Sequence, residues 1–436
     1  MAQFLSQPAT GQSVLQVEGL IRTAIFKQAA DIVGYLLQAA ADRIDANYRP
    51  ARGQTRKGRE SLTVQCLFGA FALQRDYYYS SATGGFYPVD AALGLETGHT
   101  PALVRLACLE GADETGFQKA ERHLWETGGI RLQARQIQRL VQRVGPAAQA
   151  WQQREYVPAQ ADNKSPVPIM YVSADGSGVP MRKEELEGRS GKQVDGTAKT
   201  RQAYLGCVFT QHGTDEKGRP VRDWASTTYI SSMDDIEAFG AMLRWETLRR
   251  GLAFARHVVF LVDGASGLER MGRICFKDAV QIVDFFHALE HAGRVLVVLL
   301  GSKLHPDYER RRGQWAKRLL KNGVQRLIDD TRKECVGKTQ TEAVEKELNY
   351  FVDNVNRMQY RTFRQQGYFI GSGVIEAGCK TVIGARCKQS GMFWGLTGAE
   401  NILALRCINS SQRDESFWTY RLEQLAAPSI PVRRAA

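Results

Sequence analysis

The stretch RHVVFLVDGASG, residues 256–267, constrains this chain more than any other. Val258 to Val262 are five apolar residues without a break. That is the pattern of a strand covered on both faces, and so of a sheet enclosed by helices. Asp263 follows at once, then Gly264. A carboxylate at the rim of an apolar layer is either an ordinary strand end or a ligand site, because ligands in open α/β sheets bind where strands end. One aspartate does not decide between them; its companions do.

The order of elements around this strand is informative. A strand over 169–174 runs into Asp175 in SADGSGVP. Two more strands are expected near 203–211 and 224–231, and a helix over about 234–250 with Ile236, Phe239, Leu243 and Leu248 on or near one face. After Asp263, VQIVDF reads as a further strand and a helix follows from about His287. The result is β-β-β-α-β-α-β-α, an antiparallel meander joined to parallel strands. If the strands before Asp175 and Asp263 are neighbours, two carboxylates stand side by side. Paired like charges are unfavourable unless a cation lies between them. Hard oxygen ligands favour Mg2+ or Mn2+. Glu376, in the glycine-flanked IGSGVIEAGCK at the start of a last helix, is the candidate third acid. Strand Asp, strand Asp and helix Glu, in that order, are the arrangement of an RNase H-like core with a DDE triad. Two ions held by such acids suit in-line phosphodiester exchange. Asp175, Asp263 and Glu376 are thus the expected catalytic and metal-binding residues.

The remaining chain divides around this core. The expected fold is α/β: an RNase H-like mixed-sheet core with a helical insertion, preceded by a mainly helical N-terminal region that contains a β-hairpin. The boundaries read as 1–155 for the N-terminal region, 156–168 for a proline-containing linker, and 169–300 for the first part of the core. The charged helical insertion covers 301–364, and 365–436 completes the core with the Glu376 helix and a tail. Apolar spacing predicts a helix over 15–47 and alternation predicts a hairpin over 61–80 with its turn near Gly69. Residues 100–144 read as three short helices.

The third of these helices carries Arg131, Arg135, Arg139 and Arg143 at every fourth position, with no acid between Glu126 and Glu155. Like charges stacked at that spacing cost helix stability, and phosphates would offset the cost. A solvated face or a dimer seam would look the same. The whole chain carries a net charge of +12, which suits a polyanionic partner such as double-stranded DNA. Arg135, Arg139 and Arg143 are therefore candidate DNA contacts, joined by Lys380, Arg386 and Lys388 just past Glu376. The eight cysteines form no C-x-x-C pair, and no secretory signal is visible. A reducing, cytoplasmic setting is expected.

Several blocks also resemble a known family. DGSGVPMRKEELEGRSGKQVDGTAKTRQAYLGCVFTQ, VVFLVDGAS, VQIVDFFHALEH, YFIGSGVIEAGCKTVIGARCKQSGMFW and GAENILALRC are similar to transposases of the ISKra-type insertion sequences. The similarity extends to FALQRDYYY and TPALVRLA near the N-terminus. It implies a DDE transposase that binds the element's terminal repeats and performs metal-dependent strand cleavage and transfer. It carries the triad onto Asp175, Asp263 and Glu376. A homo-oligomer on DNA is the corresponding expectation. In the related Mutator-like transposases a D-x-x-H motif follows the second acid. Asp284 and His287 match it, which implies a supporting role near the metals or the DNA phosphate.

Two other readings compete. His287, Glu290 and His291 form H-x-x-E-H, a pattern of zinc peptidases in which two histidines one helical turn apart hold the metal. It accounts for neither the arginine row nor the paired strand-end acids. A DNA-binding derivative without catalysis is the third reading, set against the presence of all three acids.

Overall fold

The computed structural model describes residues 10–157, 165–191, 193, 196–337 and 339–426. These fall into two compact units, one of residues 10–147 with 414–426 and the other of residues 148–413.

The first unit begins with the long helix Gly11–Asn47. Thr10 and Ser13 form a reciprocal capping box, which satisfies amide donors at the helix start. Its Ala30, Gly34, Leu37, Ala41 and Ile44 turn toward a hairpin of β1 (Thr55–Cys66) and β2 (Gly69–Ser80). Gly34 is required there, because an added Cβ would meet the Phe71 ring at 2.9 Å. β3 (Gly84–Phe86) pairs with β2. The hairpin is longer than its alternating core suggests. The charged segment TRKGRE at 55–60 pairs with the aromatic strand end, Thr55 opposite Tyr79. Apolar alternation marks only the half of a strand that faces a core.

Helices Pro101–Asp113, Phe117–Gly128 and Ala134–Gln153 follow, close to the expected three. Gly129 closes the second in the left-handed conformation at φ 66°. The helix Asp414–Ala426 also belongs to this unit. Its Arg421 grips the buried Glu96 through both oxygens, at 3.2 and 2.6 Å. This corrects the assignment of the whole 365–436 segment to the core. A lone amphipathic helix does not announce its partner, and here the partner is an acid far away in sequence. The expected linker at 156–168 lies partly outside the described residues, and the strand after it already begins at Val167.

The second unit is built on a mixed sheet. β4 (Val167–Pro180) pairs antiparallel with β5 (Thr200–Thr214) and parallel with β8 (Ala255–Val262). β8 pairs parallel with β9 (Val280–Val283). β6 (Pro220–Arg222) and β7 (Thr228–Ser232) both pair with β5, so the order is β6-β5-β4-β8-β9 with β7 off that path. This is the expected meander joined to parallel strands, and β4 and β8 are neighbours as required. One face packs Val172, Ala174, Val208, Phe260 and Val262 against Phe239 and Leu243 of the helix Ile236–Arg249 and Leu268 and Met271 of Ser266–Cys275. Full burial of one such side chain contributes about 1.5–3 kcal/mol.

The helices Tyr308–Leu319, Val324–Cys335, Thr341–Asn354 and Tyr360–Gln365 make up most of the described chain between residues 301 and 365. Among the described residues no helix is long and apolar enough to cross a membrane.

Candidate functional site

Asp175 does not end its strand. β4 continues to Pro180 along β5, with Asp175 opposite Leu205. What ends near Asp175 is the parallel pairing with β8, whose last pair is Ser173 and Leu261. The carboxylate therefore sits where β4 loses its second neighbour. A glycine-rich hairpin arm, not a turn, follows the acid. Asp175 Oδ1 accepts the Gly176 amide at 2.6 Å. Burial raises the Asp175 pKa, and the negative charge of Asp263 adds to the rise.

Asp263 lies one residue past the end of β8, as expected. Its Oδ1 accepts the Ala265 amide at 2.8 Å, and Gly264 takes φ 87° to make the tight turn possible. Tyr350, from the helix Thr341–Asn354, donates its hydroxyl to the Asp263 carbonyl at 2.8 Å. The sequence carries no signal for this tie, because nothing in a charged helix marks one tyrosine as a latch.

Glu376 is positioned by a segment that docks back onto the sheet after the helical stretch. Phe369 N–H donates to the Tyr171 hydroxyl at 3.1 Å, and Phe285 N–H donates to the Ile370 carbonyl at 2.8 Å. The Ser372 amide donates to Asp284 Oδ2. Ser372 Oγ then donates to Glu376 Oε1 at 3.0 Å, within reach of the helix Gly373–Gly378. That helix passes into a π-helical turn over Cys379–Gly384, a distortion often found beside functional sites. Ser372 is legible in sequence as the residue four before Glu376, and Cys379 is not. Buried beside the sheet, Cys379 hydrogen-bonds the Asp175 carboxylate, and burial pushes its thiol pKa far up. The thiol therefore stays protonated as a donor.

Asp284 is fully buried and caps the helix Phe285–Leu300, which starts before the expected His287. Its Oδ1 accepts the His287 amide at 2.7 Å. Burial pushes this carboxyl up, but hydrogen bonds from His287 and Ser372 outweigh that and hold it below its ordinary range. The His287 ring lies 3.4 Å from Asp284 Oδ1 and is raised to about 9, first by that hydrogen bond and then by the charges of Asp284 and Asp263. Ligand atoms of Asp284, His287 and Glu376 all lie within 4.8 Å of one another, a group able to hold a metal. Asp175 and Asp263 stand outside that tight group, linked to it through the effect of Asp263 on both Asp175 and His287.

The zinc-peptidase pattern is not assembled in this way. His291 stacks face to face on Tyr350, with ring centroids 3.5 Å apart, and burial lowers it to about 4. Among the described residues no metal-binding group unites His287 with His291.

The basic candidates differ from one another. Arg135, Arg139 and Arg143 are exposed, on the face opposite the buried Leu132, Ile137, Leu140 and Val141. Arg143 lies 3.8 Å from Glu96, an acid already engaged by Arg421. Lys380 is exposed, and Lys388 donates to Ser177 Oγ at 2.6 Å, two residues from Asp175. Arg386 departs from its expected role. It is 1% exposed, lies over the Trp394 ring at 4.9 Å, and is lowered to about 10 by burial. Packed this way it supports the turn after Glu376 and presents nothing to a phosphate.

Residues 12–409 match the model of UPF0236, an uncharacterised protein family, and the chain belongs to that family. A UPF0236 protein in the vanSb 3′ region of Streptococcus gallolyticus is 25% identical over 380 residues, covering 83% of this chain and 74% of the relative. Among solved structures, the Drosophila P element transposase strand transfer complex aligns over 76% of this chain and 83% of its own, with 12% identity and a TM-score of 0.27.

Proposed function

We propose that the protein is a DNA transposase of the ISKra type, with an RNase H-like core and a DDE triad of Asp175, Asp263 and Glu376. The observation that carries this is the parallel pairing of β4 with β8, which sets Asp175 and Asp263 close enough for one charge to raise the pKa of the other. The donors fit a hard divalent cation: carboxylate oxygens, half buried, with mutual repulsion that a cation would relieve. Two Mg2+ or Mn2+ ions bound by Asp175, Asp263 and Glu376 would polarise the scissile phosphate and activate water or a 3′-hydroxyl.

The protein's own groups have separable roles. Asp284 has both oxygens engaged, so it positions His287 and the Ser372–Glu376 loop. The His287 imidazolium, charged at neutral pH, faces the developing negative charge of a phosphate. Lys388, anchored beside Asp175 through Ser177, steers the DNA backbone. Arg135, Arg139 and Arg143 hold the terminal repeats through phosphates or guanine edges. Purified protein should nick a duplex carrying the element's ends in Mg2+, and the Asp263→Asn variant should bind the same duplex without cutting it. Unchanged cutting by Asp263→Asn would rule the triad out.

A further inference from the structure

We propose that the helix Gly11–Asn47 pairs antiparallel with the same helix of a second copy of this chain. The helix carries two apolar stripes on opposite faces. Ala30, Gly34, Leu37, Ala41 and Ile44 are turned to the hairpin of the same unit. Val14, Ile21, Ile25, Ile32 and Tyr35 point the other way and are exposed, from 41% at Ile21 to 77% at Tyr35. Leu15 and Leu36 widen the exposed band. A helix this apolar on its free side is not a solvated face. The N-terminal half has little support from its own unit. Its inner side lines a groove of about 760 Å3 with Phe68 and Trp125.

The spacing says what covers the band. Positions 14, 18, 21, 25, 28, 32 and 35 alternate steps of four and three, the period of a two-stranded coiled coil. Two of the seven are polar, Glu18 and Gln28. In a parallel pair Glu18 would face Glu18 in the seam, where like charges repel. Inverting the second copy about Thr23, the middle of the stretch from 14 to 32, sets Glu18 against Gln28, Val14 against Ile32 and Ile21 against Ile25. Every apolar position from 14 to 32 then meets an apolar one, Tyr35 lies beyond the paired stretch, and the Glu18 carboxylate accepts from the Gln28 amide. Arg22, which would approach its own copy, is held inward by the Thr127 carbonyl at 2.7 Å. Three heptads paired in this way bury on the order of 600 Å2 per helix, near the ~800 Å2 per side of a standard interface. The proposal stands on this surface and not on the reading of the acid cluster.

Sedimentation equilibrium of the full chain at micromolar concentration should give a dimer. The double variant Ile25→Glu, Ile32→Glu should be a monomer with an unchanged circular dichroism spectrum, since both side chains are exposed. A second measurement covers the case where that variant misfolds. Val14→Cys and Ile32→Cys chains, mixed and oxidised, should cross-link to each other far more than either does alone, with the parent chain as control. A monomeric parent chain, a double variant that stays dimeric, or Val14→Cys cross-linking to itself would each overturn the proposal.

Discussion

The acid cluster of the second unit and the arginine row of the first are opposite in charge and are held by opposite means. Asp175, Asp263, Asp284 and Glu376 come from four separate segments, and every one of them accepts a hydrogen bond from backbone or hydroxyl. Their positions are set before any ligand arrives, at the cost of burying charge. Arg135, Arg139 and Arg143 share one helix and are oriented by little more than its pitch. Long exposed side chains of that kind adapt to a surface and do not impose a geometry. Chemistry on a phosphate requires the first arrangement, and holding a duplex requires only the second.

The largest effect should appear within the cluster and sharpen its division of labour. Asp175→Asn keeps the shape and loses the charge, so metal-dependent cleavage should fall on the order of a thousandfold or more, with binding intact. His287→Gln removes a group that is not a proposed ligand, and a supporting group of this type costs about 10–100-fold. Single-turnover cleavage rates of both variants compare the two roles. Equal damage would move the metal site to Asp284, His287 and Glu376.

The next effect concerns the frame beneath the cluster. Glu246 is buried between Arg249, at 3.1 Å, and Arg413, at 2.9 Å, and accepts the Thr228 hydroxyl at 2.7 Å. Burial pushes its pKa up, but the two guanidinium charges outweigh that and leave it lowered. A depressed folded pKa stabilises the fold above the ordinary carboxylate value and loses that contribution as pH falls through the folded value. The melting temperature should therefore fall below about pH 4.5. Glu246→Gln should cost roughly 3–5 kcal/mol at neutral pH, because the buried Arg249 and the partly buried Arg413 lose this counter-charge. Its melting temperature should depend less on pH over that acid range. A variant as stable as the parent would mean that the network is not a structural anchor.

These contrasts also explain what the sequence makes legible. The buried run before Asp263 and the strand order are local patterns, and the sheet follows them closely. The extent of β4 is hidden, because an aspartate within a glycine-rich segment looks like a stop, whereas β5 supplies a partner as far as Pro180. Tyr350 on Asp263 and Arg421 on Glu96 join distant segments with no periodicity to reveal them. Nearness to Glu376 in sequence points Arg386 toward DNA. A π-helical turn and the Trp394 ring direct it inward instead, and neither is visible from composition.

The smallest effect belongs to the arginine row and tests whether it is a binding face at all. Changing Arg135, Arg139 and Arg143 together to alanine should leave the melting temperature nearly unchanged, since exposed substitutions of this kind usually stay within about 0.5 kcal/mol each. Removing like charges at fourfold spacing even favours the helix slightly. Affinity for end DNA should nevertheless drop, and the log–log dependence of binding on salt should flatten by about one unit for each phosphate that is no longer neutralised. Arg143 should contribute least of the three, because Glu96 lies 3.8 Å away and competes for its charge. Titrations at several salt concentrations, for the triple variant and for each single one, separate these expectations. An unchanged slope would mean that the row is only a solvated face, and end recognition would then have to be sought elsewhere on the chain.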